Sequence, residues 1–162
     1  RPAGARQLRG LSRLAEVLFY HLTESTLEEA LPGLLERSVA RGSRAVGQAG
    51  VEELGDALDQ HLWTFRDDSF LAHATDREPH PAEQPVLLTT GQGNANAAQI
   101  RFLVDGAEPP DLAGYARAVF LFDGHDAAQV EAARGHWKRM KAAGHGVTYW
   151  QQTPDRRWER KA

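Results

Sequence analysis

The sequence predicts a three-layer α/β domain with a mostly parallel sheet and helices on both faces. Three observations carry that prediction. Apolar runs at 17–22, 86–89, 100–104 and 118–122 have the near-continuous hydrophobicity of strands buried on both faces. Stretches with helical spacing alternate with them, giving the order β-α-β-α-β-β-(α)-β-α-β, in which crossovers return each strand to one sheet. A length of 162 residues suits a single hydrophobic core.

Residues 1–15 are basic, carry Leu8, Leu11 and Leu14 at helical spacing, and are set apart as an N-terminal extension outside the domain. The domain is placed at 16–153. Its first strand, Val17 to Leu22, is followed by Ser25 with Glu28, a capping box. The helix that follows buries Leu27, Leu31, Leu34, Leu35 and Val39 and stops near Gly42. Pro32 and Gly33 break its propensity, so a kink or a later start is expected there. Arg44 to Ala49 reads as the second strand, and Gly50 leads into a helix bearing Val51, Leu54, Leu58 and Leu62. Residues 66–84 lack periodicity and read as a long surface loop. Two strands then flank the turn chemistry of Gly91-Gln92-Gly93-Asn94. Pro109-Pro110-Asp111 opens a turn or short helix before the strand at 118–122. Residues 154–162 read as a loose polar, basic tail.

The helix beginning near Asp126 is the most informative element. Asp123 is a candidate cap, Gly144 a natural left-handed stop, and Val147 to Trp150 has strand composition. Val130, Ala133, Trp137 and Met140 share one face, the one expected to be buried. Arg134, Lys138 and Lys141 form an adjoining basic row. Trp137 stands on the border, which leaves it as core or as the edge of a basic, aromatic surface for an acidic partner.

The charge is unevenly spread. The net −3 combines +4 over residues 1–15, −13 over 16–131 and +6 over 132–162, and every lysine lies in the last segment. A positive end on an acidic body draws an anionic ligand to one place. Absence of cysteine excludes disulfides and thiolate metal sites and fits a cytoplasmic setting. No apolar run approaches the ~18 residues a membrane helix needs.

Searching for chemistry yields little. The first βα turn, His21 to Thr26, contains no glycine, and neither GxGxxG nor GxxxxGK[ST] occurs. The predicted sheet is therefore Rossmann-like without a nucleotide-binding loop, and an enzyme of nucleotide chemistry is the weakest function class. The seven histidines have no metal-ligand spacing, no cofactor is indicated, and no residues make a catalytic constellation. Phe70 and Leu71 follow Asp67-Asp68 outside any periodic element; they either tuck onto the sheet or form a hydrophobic docking patch. Trp137, Trp150 and Trp158 with the basic end leave direct single-stranded-DNA binding as an alternative function.

FYHLT (19–23), ALDQHLWTF (57–65), DDSFLAH (67–73), PVLLTT (85–90), FLVDGAEPPDLAGYARAVFLFDG (102–124) and KAAGHGVTYWQQ (141–152) together resemble the chi subunit of bacterial DNA polymerase III. The proline-rich FLVDGAEPPD looks like its alphaproteobacterial branch. The resemblance implies a cytoplasmic, non-catalytic clamp-loader accessory that belongs to a DNA-directed DNA polymerase (a nucleotidyltransferase) and contacts DNA only indirectly. It also implies two partners. The acidic, aromatic-ended C-terminal tail of single-stranded-DNA-binding protein would dock at Arg134, Trp137 and Lys138, and Lys141 extends that row. The psi subunit, or an equivalent clamp-loader partner, would dock at Phe70 with Leu71. Many relatives carry proline where this chain has Ala72, which raises the cost of ordering that loop.

Overall fold

A computed structural model describes residues 14–66 and 71–162. In chain order the elements are β1 (Glu16–Leu22), α1 (Leu27–Ala40), β2 (Ala45–Gln48), α2 (Glu52–Thr64), β3 (His73–Thr75), a 3-10 turn (Pro81–Glu83), β4 (Val86–Thr89), β5 (Ile100–Leu103), β6 (Arg117–Asp123), α3 (Ala127–Ala142), β7 (Gly146–Gln152) and β8 (Trp158–Arg160). One sheet runs β3-β4-β2-β5-β6-β1-β7-β8. Every pairing is parallel except β7 with the edge strand β8.

Strand alternation divides the core. Leu22, Val119 and Leu121 face Leu31 and Leu35 of α1 and Leu58 and Leu62 of α2. Val17, Phe19, Phe120 and Phe122 face Ala133 and Met140 of α3. Neighbouring residues of one strand thus serve opposite layers, as the two-residue period requires. Helices lie on both faces, and the predicted three-layer class holds.

Several local expectations change. The capping box is Thr26 with Glu29, one residue later than Ser25 with Glu28. Ser25 is engaged elsewhere: its N–H donates to Gln152 Oε1, and its Oγ accepts from Gln152 Nε2. Helix α1 begins at Leu27 despite Pro32. The Glu28 carbonyl, which a proline four residues on cannot serve, contacts His61 Nε2 of α2 at 2.7 Å instead. Val51 is the exposed N-cap of α2 and not part of its apolar stripe. Helix α3 is capped by Asp126, with Asp123 making a turn to the His125 N–H. It ends as expected at Gly144 in the left-handed region, where the Gly144 and His145 N–H groups return to the Lys141 and Met140 carbonyls.

The segment read as a surface loop contains β3, buried throughout. His73 is its anchor, 3.2 Å from the Asp59 carboxylate and hydrogen-bonded to two backbone carbonyls. The tail read as loose forms a hairpin with β7, and Trp158 stacks on Tyr20 at 4.4 Å. Ala15, assigned to the extension, is buried and joins the core beside α3; residues 1–13 lie outside the described residues.

Candidate functional site

Two concavities flank the C-terminal halves of β1 and β6, and they differ in chemistry. The first is the crevice where β1 and β6 send their helices to opposite faces, the usual ligand position in such sheets. It encloses about 430 Å³ and is lined by Glu24, Glu28, Asp105 and Asp123, with His125 as its basic side chain. Four carboxylates repel a phosphate. The backbone donors that would cradle one are also occupied. Gln152 Oε1 accepts the N–H groups of Thr23, Glu24 and Ser25 at 3.3, 3.1 and 2.9 Å. The chain's own carboxamide fills the phosphate nest.

The Gly91-x-Gly93 turn is likewise committed inward. Its two glycine carbonyls accept from the guanidinium of Arg101, a fully buried cation that also bonds Gln48 Oε1 and the Tyr115 hydroxyl. Among the described residues, no group of three or more His, Cys, Asp or Glu side chains is placed to hold a metal.

The second concavity is a groove of about 320 Å³ between α3 and the sheet face of β6, β1 and β7. Its cationic lip is Arg134 and Lys138, both exposed. Its aromatic lining comes from Phe19, Phe122, Trp137 and Tyr149. Trp137 meets Phe19 and Tyr149 edge to face, at 5.4 and 5.9 Å. It is half-buried, so the two readings left open for it merge: one edge packs on the core and the rest walls the groove. Lys141 does not line the groove; its Nζ stands 5.3 Å from the Trp137 ring centroid, within cation–π range. Among the described residues Arg134 makes one exposed ion pair, to Glu131 at 3.5 Å, a pairing of little energy.

His21 and Tyr149 add the polar part of the groove, 2.5 Å apart between Nδ1 and the hydroxyl. Burial lowers the His21 pKa, helped by His125 and opposed by Asp123. Burial also raises the Tyr149 pKa, partly offset by Arg134. Both groups are therefore neutral near pH 7. Gly124 packs against this pair: a Cβ there would stand 2.1 Å from His21 Nε2 and 2.9 Å from the Leu22 carbonyl.

The groove thus unites Arg134, Trp137 and Lys138, three of the residues singled out from sequence, with Lys141 beside them. Sequence reasoning missed Phe19, His21, Phe122 and Tyr149, although each lies in a stretch that carried the family resemblance. Their signal was strand alternation, which sends those four toward α3. The second predicted site fares differently. Phe70 lies outside the described residues. Leu71 is 4% exposed and packs in the core under α1 and α2, so it is no docking side chain; entry into β3 turns it inward.

The class defined here is a three-layer α/β protein whose phosphate nest is closed and whose open groove is cationic and aromatic. The family model described as "DNA polymerase III chi subunit, HolC" matches residues 14–148, and the chain belongs to that family. It is similar to a protein of Rickettsia prowazekii (strain Madrid E) described as "Probable DNA polymerase III subunit chi". The two are 26% identical over 94 residues, covering 58% of this chain and 55% of the relative. The matched stretch thus spans little more than half of that relative's length. No helix among the described residues is long and apolar enough to cross a membrane.

Proposed function

We propose that the chain is a replication adaptor within the DNA polymerase III holoenzyme, where it binds the acidic, aromatic-ended tail of single-stranded-DNA-binding protein. One observation carries the reading: a single groove joins two exposed cations, Arg134 and Lys138, to four aromatic walls. A peptide ending in an aromatic residue offers the complement, with its carboxylates on the cations and its ring among Phe19, Trp137 and Tyr149. In this role the chain supplies contacts and no bond-making chemistry, and it works in the cytoplasm. Micromolar affinity corresponds to about −8 kcal/mol. Many such weak contacts along a coated strand hold a polymerase by avidity without fixing its position.

Fluorescence polarisation with a labelled acidic peptide tests the reading. Arg134→Ala or Lys138→Ala should each weaken binding by about 1–3 kcal/mol, and deletion of the terminal aromatic should abolish it. Unchanged affinity in both variants rejects the groove. A psi-type partner is proposed to dock at Phe70, supported by the family resemblance alone. Loss of co-purification with psi in Phe70→Ala, at unchanged melting temperature, is the expected outcome; retained association removes that role.

A further inference from the structure

The sequence grouped Trp137 with Trp150 and Trp158, yet the fold sends them to opposite faces of the sheet. Trp137 belongs to the α3 groove. On the other face Tyr20 of β1 neighbours Trp150 of β7, and Trp150 pairs across the hairpin with Arg160. Gln152 pairs with Trp158, so Trp150, Trp158 and Arg160 share one side, while Glu159, the acid on β8, lies on the reverse. Tyr20 stacks on Trp158 at 4.4 Å and meets Trp150 edge to face at 6.4 Å. All three residues are half-buried, and Tyr20 and Trp158 pack against the core under α1 and α2. On this face α1 packs chiefly on β2 and β6 and α2 on β3 and β4.

The rim of this face is basic. Arg37 lies in the last turn of α1 and Arg41 at its C-cap; burial raises the Tyr20 pKa, and the charges of Arg117, Arg37 and Arg41 oppose it. Arg37 and Arg41 are exposed, and among the described residues neither makes an ion pair. Glu16 is taken up by Arg117 at 3.5 Å.

We infer that the sheet face over β1, β7 and β8 binds single-stranded nucleic acid, with bases stacked on Trp150 and Trp158 and phosphates against Arg160, Arg41 and Arg37. Rings presented on strands with guanidiniums around them match stacked bases on a charged backbone, and every base has a ring face to offer. An acidic, aromatic-ended peptide is the lesser fit, because its one terminal ring leaves the other rings of the cluster without a partner. The surface is separate from the α3 groove and does not depend on the tail-binding role.

A fluorescein-labelled fifteen-nucleotide oligothymidylate, titrated at low salt into the full chain, tests the proposal. Binding should weaken about 10-fold in Trp150→Ala and comparably in Arg41→Glu, an exposed change that leaves packing intact should the Trp150 variant fail to fold. The logarithmic salt slope should be about −2, as three cations on a single strand imply. An oligouridylate should bind comparably, since neither rings nor guanidiniums read the sugar. A saturating acidic peptide in the α3 groove should leave oligonucleotide binding unchanged. Absence of binding, unchanged affinity in Arg41→Glu, or displacement by the peptide overturns the proposal. So does loss of peptide binding in Arg41→Glu, which would make this face a peptide surface.

Discussion

The crevice above β1 and β6 and the groove beside α3 share the same two strands, yet their chemistry is opposite. His21 and Phe122 line the groove, while the next residues, Leu22 and Asp123, line the crevice. The crevice is the larger, at about 430 against 320 Å³, but it carries four carboxylates and its backbone donors already serve Gln152. The groove is smaller, has exposed cations and is walled by rings. Volume alone therefore does not rank the two; charge sign and engaged backbone groups separate them. The usual ligand position of the fold is closed from within, and the open cationic, aromatic surface lies on a helix flank.

The strongest test of that contrast is Gln152→Ala. It removes the acceptor of three backbone N–H groups and the donor to Ser25 Oγ, and should lower stability by about 2–4 kcal/mol in urea unfolding. Peptide affinity in the folded variant should be unchanged; a parallel loss would show that the two regions are not independent. Gly124→Ala strikes the wall between them. Its Cβ cannot avoid His21 or the Leu22 carbonyl, so about 1–3 kcal/mol of destabilisation is expected, together with weaker peptide binding as His21 leaves Tyr149. Unaltered affinity would remove His21 from the groove's working parts.

The smallest effect is on pH. His21 and His136 both have lowered pKa values, chiefly through burial, with His136 opposed by Glu108 at 3.5 Å. Each is favoured neutral in the folded state. Their contribution is intact above the ordinary histidine value of about 6.5 and is lost as pH falls toward the lowered folded values. Melting temperature should therefore decline on acidification before the carboxylates titrate, and His136→Gln should flatten part of that decline. An identical slope in the variant would assign the effect elsewhere.

Much of this was legible in the chain because the signals are local. Apolar runs marked the central strands, and the α3 periodicity with Gly144 marked the helix that carries Arg134, Trp137 and Lys138. What was not legible depends on partners far along the sequence. Ser25–Glu28 and Thr26–Glu29 are equally good capping boxes, and Gln152 decides between them by engaging Ser25. Strands β3 and β8 are three residues each, too short to show alternation, so His73 to Thr75 read as loop and Trp158 as tail. Pro32 argued against a helix that His61 repairs from outside.

The position of β1 has a consequence for how the chain is made. The first strand sits between β6 and β7, with Glu16 in register with Arg117 on one side and Gly146 on the other. Neither neighbour exists until the last third of the chain has been synthesised, and Gln152 closes the first turn later still. At about 5–20 residues per second, the N-terminal strand waits several seconds with both hydrogen-bonding edges bare. Contacts this distant in sequence slow folding. The half-made chain is thus the form most exposed to edge-to-edge aggregation, and completion of β6 and β7, not emergence of the first strand, starts its assembly.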